Sequence, residues 1–171
     1  MRRLLVLTVL LLAAACAQAQ VKLTTYTDPG GVFTWQVPDT WKATRAPMGQ
    51  LGFDTTFSAA GEKVQIEIIN LTSPQDLQPG QLQELATNFI GILAQQLQQT
   101  GTVSSSPTVA DKLAGHAAVK QLLIVKDNGT GEETAVLVLV TLGKRNLVGV
   151  AVAAPQAEVA ALQKGLTCWA P

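Results

Sequence analysis

Between residues 33 and 37, Phe33, Trp35 and Val37 alternate with Thr34 and Gln36, the period-two pattern of an extended strand with one buried face. Pro38 cannot donate to a strand ladder and closes the run. Trp41 follows at a spacing from which its ring can cap the end of a sheet. The alternation predicts that this aromatic cluster belongs to a core and is not an exposed platform. Asp28-Pro29-Gly30-Gly31, just upstream, is turn chemistry, because proline presets one backbone angle and glycine accepts positive φ. It sets apart a shorter run over residues 21–26. Residues 51–57 and 64–71 predict the next two strands, joined through Ala59-Ala60-Gly61-Glu62. In the second, Val64, Ile66 and Ile68 alternate with Gln65, Glu67 and Ile69, which leaves one wet face.

The period then changes. Leu82, Leu85, Ala86, Phe89, Ile90, Leu93 and Leu97 recur at helical spacing between Gln78-Pro79-Gly80 and Gly101, so a long amphipathic helix is expected, with proline in its first turn and glycine at its end. Its other face carries Gln81, Gln83, Gln95, Gln96, Gln98 and Gln99 and is expected in solvent, since a membrane-surface helix would carry Lys or Arg there. Residues 102–107 read as a polar connector. Strands are predicted around 109–113, 117–126, 134–142 and 147–153. The turns between the last three are Asp127-Asn128-Gly129-Thr130-Gly131 and Gly143-Lys144-Arg145-Asn146. Residues 136–140 are apolar on both faces and predict a central strand covered by a layer on each side. Pro155 opens a final helix in which Val159, Leu162 and Leu166 face inward.

The first residues change the picture. Met1-Arg2-Arg3 is followed by an almost unbroken apolar run from Leu4 to Ala15, the form of a secretory leader and too short for a membrane-spanning helix, which needs about 20 residues. Two processing readings compete. Ala17-Gln18-Ala19 is an A-x-A site, giving a signal peptide over 1–19 and a single domain over 20–171. Alternatively Cys16 becomes the lipid-bearing first residue of a lipoprotein after a signal over 1–15, although Ala13 stands where such signals usually have leucine. Both place the product outside the cytoplasm, periplasmic or secreted, with membrane attachment only through Cys16. The second cysteine, Cys168 beside Trp169, then has no intramolecular partner and is expected to be a buried thiol.

Without a leader over 1–19, residues 20–171 have the length of one domain and bury roughly 68–70 % of their unfolded surface. Lys and Arg balance Asp and Glu at twelve each, and loss of Arg2 and Arg3 with the leader leaves a net charge of minus two. With no basic stripe, nucleic acid is excluded as an expected partner.

Phe33-Thr34-Trp35-Gln36-Val37-Pro38 with Trp41, and Leu113-Ala114-Gly115-His116-Ala117-Ala118 further on, resemble the early aromatic strand and the "L-x-G-x-x-A" turn of the PsbP-like fold. The paired hairpins and terminal helix are similar to its ending. The resemblance implies an α+β architecture: an αβα sandwich with a mainly antiparallel central sheet, one long helix and one C-terminal helix. It implies no activity, because the group includes photosystem, GTPase-binding and uncharacterised proteins, and no functional residue is transferred from it.

The residues themselves offer little chemistry. His116 is the single histidine. A hydrolytic triad would have to use it, yet no G-x-S-x-G elbow accompanies it and its place suits a tight turn. One histidine and one surviving cysteine cannot build a zinc site. Asp127 and Asn128 with Glu132 and Glu133 read as a solvated hairpin tip, and Asn70-Leu71-Thr72 and Asn128-Gly129-Thr130 match glycosylation acceptors only by pattern. No catalytic residue, metal or cofactor is expected. The expectation is an exported, non-enzymatic accessory or binding protein of the bacterial envelope, docking an unknown protein or a small apolar ligand between helix and sheet. One alternative is a periplasmic carrier of an apolar ligand or lipid, in which Trp35, Trp41 or Trp169 lines a pocket instead of filling a core. Another, in a photosynthetic host, is a lumenal photosystem accessory protein.

Overall fold

The computed structural model describes residues 22–156 except 60 and 62. The predicted final helix, Cys16, Cys168 and Trp169 lie outside the described residues. Ten strands and one long helix follow in the order β1 (Leu23–Thr27), β2 (Thr34–Pro38), β3 (Lys42–Pro47), β4 (Gly52–Ser58), β5 (Gln65–Thr72), α1 (Leu82–Leu97), β6 (Gly101–Ser105), β7 (Val109–Leu113), β8 (His116–Asp127), β9 (Glu133–Leu142) and β10 (Asn146–Pro155). The architecture is α+β, built on an eight-stranded antiparallel sheet in the order β3-β4-β5-β10-β9-β8-β6. The strand β7 shares the last edge, pairing with the first half of β8 while β6 pairs with the second half. The strands β1 and β2 form a separate two-stranded hairpin.

The helix forms where the 3.6-residue spacing predicts. Its first turn is closed by the Gln78 N–H donating to Gln81 Oε1 at 2.8 Å, and it buries Ala86, Phe89, Ile90 and Leu93. These pack on one face of the sheet against Ile69, Val119, Leu123, Val138, Val140 and Leu147. The glutamine face is exposed. Because side chains alternate across a strand, the neighbours of those residues point the other way. There Phe57, Ile66, Ile68, Val150 and Val152 form a second core with Val37 of the hairpin, flanked by Tyr26, Phe33, Trp35 and Trp41. The strand β9 is buried from Ala135 through Thr141, as expected of a strand covered on both sides.

Two expectations are corrected. Residues 42–47 had no predicted element, and 101–105 were expected to lie largely in a connector; both are edge strands. Their side chains are mostly exposed, so neither has the apolar alternation that marks a half-buried strand, and each is held by hydrogen bonds to a neighbour distant or offset in sequence. Among the described residues, the layer opposite α1 is the β1–β2 hairpin.

The hairpin is pinned to the sheet edge by a buried charge. Asp28, 3 % exposed, accepts the Gly30 N–H at 2.9 Å within its turn and forms an ion pair with Arg45 Nε on β3 at 3.2 Å. The Arg45 guanidinium lies 3.3 Å from the centroid of the Phe53 ring, a cation–π contact that covers the other side of the charge. Tyr26 meets Phe57 edge-on at a centroid separation of 5.0 Å. Sequence alone therefore identified the Asp28 turn, but not the partner that turns it into an anchor.

Candidate functional site

The hairpin does not close fully onto the sheet. A cavity of about 330 Å³ opens between them, toward the ends carrying the β7–β8 and β9–β10 turns. Phe33 and Trp35 form its hairpin wall, and Ile68, Val148 and Val150 its floor on the sheet. Leu113, Ala114, His116, Leu142 and Gly143 bring the two turns to its rim. Each position follows from local sequence. Phe33 and Trp35 face the sheet because they share the period-two face of buried Val37, and Ile68 faces them because its neighbours Glu67 and Ile69 point toward α1.

The β7–β8 turn is held tightly. Ala114 has φ of 50° and Gly115 φ of 80°, the paired positive angles of a two-residue hairpin loop. Glycine adopts this conformation freely, whereas alanine is strained there by roughly 1–2 kcal/mol. Ala114 is the non-glycine residue with positive φ among the described residues, and it stands at the cavity rim.

The polar side chains of the lining include Thr25, Thr34 and Gln36, which are exposed on the hairpin. The Thr141 hydroxyl donates to the Ala117 carbonyl at 2.8 Å, which leaves its oxygen able to accept. Trp35 Nε1 is buried and has no hydrogen-bond partner among the described residues. His116 is exposed at the rim. Asp, Glu, Lys, Arg, Ser and Cys do not occur among the described lining residues.

The aromatic cluster is therefore divided. Trp41 is half-buried against the second core and is not part of the cavity wall, whereas Trp35 both packs on that core and borders open space beside the single imidazole. Trp35 thus serves both the core and the cavity wall. The sequence signal that could have shown this is a large ring on a short hairpin with small or polar neighbours, too few side chains to fill the volume beneath it. The open volume lies between hairpin and sheet.

Two other polar groupings are accounted for. At the β8–β9 turn, Asp127 Oδ1 accepts from the backbone N–H groups of Thr130 at 2.7 Å and Gly129 at 2.8 Å, and these bonds hold its carboxyl below the usual range. The carboxylate is committed to shaping the turn. Among the described residues no group of three or more His, Cys, Asp and Glu side chains is placed to hold a metal. On the α1 side of the sheet, Asp54 and Glu67 are diagonal neighbours on β4 and β5. Burial, followed by the Asp54 charge and a hydrogen bond with it, pushes Glu67 up to about 7. The Asp54 carboxyl, also pushed up by burial, has its Oδ1 buried with no hydrogen-bond partner among the described residues. Asn70, of the first glycosylation-like triplet, is buried in β5 at 4 % exposure and cannot accept a glycan there.

Comparison with known proteins adds the fold. No protein-family model and no curated protein sequence matches the chain. Among solved structures it is similar to cyanobacterial PsbP (CyanoP) from Synechocystis sp. PCC 6803, with a TM-score of 0.69 and 14 % identity over 90 % of this chain and 92 % of that one. It is also similar to the Saccharomyces cerevisiae Ran-binding protein Mog1p, with a TM-score of 0.55 and 12 % identity over 85 % and 84 % of the two chains. The fold is PsbP/Mog1-like, in keeping with the aromatic strand and the Leu113–Ala118 turn. At such identities the likeness carries no residue roles.

Proposed function

We propose that this chain is an exported, non-catalytic binding protein of a bacterial cell envelope, and that the cavity between hairpin and sheet is its ligand site. One observation carries the reading: an apolar cavity of about 330 Å³ with one polar corner and a tryptophan wall, inside the roughly 300–1,000 Å³ span of small-molecule sites. Interiors built only for stability pack to crystal density, and unfilled volume costs free energy.

The described lining holds no Asp, Glu, Ser or Cys beside His116, which supports a binding role, since acid–base or covalent chemistry needs an activating partner. Export is supported by the leader pattern of residues 1–19, and lipid attachment at Cys16 remains part of the proposal. A protein-docking accessory role is the second reading. It is favoured by the shared fold of Mog1p, named for binding Ran, and of CyanoP, which in a photosynthetic host would point to a photosystem.

Native mass spectrometry of protein purified from its own host tests the first reading. A small-molecule adduct is expected that disappears on denaturation and is missing from Val148→Phe, whose ring occupies the cavity. Wild-type protein at bare mass would refute it and favour the docking role. The same spectrum, after denaturation, shows either an acyl increment on Cys16 or a chain beginning at Gln20.

A further inference from the structure

We infer that the cavity selects an uncharged, compact ligand with an apolar body and one hydrogen-bond acceptor, and that the Trp35 indole N–H is the donor that reads this acceptor. The inference rests on the binding role proposed above and gives that role a ligand class.

Size sets the first limit. A volume of about 330 Å³ corresponds to about eleven waters at roughly 30 Å³ each. It suits a single ring or a short branched chain. A long acyl chain would have to protrude.

Charge sets the second limit. The described lining offers no Lys or Arg to a carboxylate or phosphate and no Asp or Glu to an amine. An ion entering the cavity would leave water without a counter-charge, and burying an unpaired ion is far more costly than burying a neutral polar group. His116 at the exposed rim stays solvated and does not compensate for this.

Polarity sets the third. Trp35 Nε1 is buried with no partner among the described residues, although indole N–H groups usually find one when buried. Such a donor carries a desolvation penalty, which an acceptor on an incoming molecule relieves. Trp35 lines the cavity, and among the described residues β1 and β2 form a ladder only with each other, so when a ligand enters, β2 must shift to present the buried N–H. Its far turn stays fixed by the Asp28–Arg45 pair. The Thr141 oxygen can receive a ligand hydroxyl but cannot serve an acceptor, because its proton is held by the Ala117 carbonyl. The other side-chain donors of the lining, on Thr25, Thr34, Gln36 and His116, belong to exposed residues that water already satisfies, so the buried Trp35 N–H is the donor that gains most from an acceptor.

Three probes of matched size and shape separate these claims: acetophenone, isopropylbenzene and benzoate. They are neutral with an acceptor, neutral without one, and anionic. Each is titrated into ¹⁵N-labelled full-length protein while the three indole N–H resonances are followed, the Trp35 signal being assigned by its loss in Trp35→Phe. Acetophenone is expected to bind tightest and to move the Trp35 indole proton downfield. Trp35→Phe, which keeps an aromatic wall, should weaken acetophenone about three- to tenfold, as loss of one net hydrogen bond does, and leave isopropylbenzene nearly unchanged. Benzoate binding as tightly as acetophenone would overturn the charge argument. Equal binding of isopropylbenzene with a static Trp35 signal would overturn the donor role. If no probe binds yet the host-derived adduct is present in the native spectrum, the ligand class is wrong and the binding role stands. If neither is seen, both fail.

Discussion

Replacing Gly149 by alanine gives a sign-dependent test of how α1 sits on the sheet. Gly149 lies in β10, paired with Ile69 of β5 and Val140 of β9, and its φ is not in the left-handed region. On conformational grounds alone, alanine in a strand interior is favoured over glycine by roughly 0.5–1 kcal/mol. The packing says the reverse. A Cβ at this position would lie 2.5 Å from Cε1 of Phe89 and closer still to Cζ, so the phenyl ring occupies the space a side chain would need. Phe89 is itself buried at 9 % exposure between helix and sheet, and the added methyl must lift α1 or force the ring off its rotamer. Overpacking of this kind costs about 1–3 kcal/mol. Net of the backbone gain, Gly149→Ala should destabilise by about 1–2 kcal/mol, lowering Tm by about 2–8 °C at roughly 2–4 °C per kcal/mol for a domain of this size. Phe89→Leu shortens the ring's reach, so the double variant should be more stable than the two single losses add up to. A coupling of about 1 kcal/mol is expected from such contacting residues. Thermal unfolding followed by far-UV circular dichroism, with urea titrations for the cycle, measures all four proteins. A raised Tm in Gly149→Ala, or strict additivity, would refute the packing argument.

Asp28→Ala removes one partner of a buried ion pair and leaves Arg45 beside Phe53 without its counter-charge. A loss of about 2–4 kcal/mol in urea unfolding is expected, somewhat below the value for fully buried pairs because Arg45 is partly exposed, and a loss under about 1 kcal/mol would show that the anchor does not hold the hairpin. Glu67 titrates near 7 in the folded chain against an ordinary 4.5, so the native state binds its proton more tightly than the unfolded state. The stability from this group is complete below about pH 4.5 and is lost as the pH rises through about 7. Urea midpoints should therefore fall between about pH 5 and pH 8 in the wild type and fall less in Glu67→Gln, whereas identical profiles would remove Glu67 as the cause.

Elements with a buried face were legible. The α1 stripe, the alternation in β5 and the doubly apolar β9 each record in sequence which sides are covered, because burial is a property of consecutive residues on one element. The strands β3 and β6 were not legible for the same reason: Lys42–Pro47 and Gly101–Ser105 are mostly exposed, and their extended form is imposed by β4 and β8. In the candidate site, the aromatic positions 33, 35 and 37 were visible as one face, and the Leu113–His116 turn as a turn. That the two meet across an open volume was not.

By itself the chain determined the periods, the turns and the face on which each large side chain lies. These depend on φ/ψ preferences and on spacings of two or 3.6 residues, which act within a few positions. Tertiary structure decided the strand order that sets β5 against β10, the pinning of Asp28 to Arg45, the placing of Phe89 over Gly149 and the incomplete closure of the hairpin over Ile68 and Val150. Each of these joins groups remote in sequence, and whether such groups fill or leave space depends on summed volumes across two layers, which no local pattern encodes.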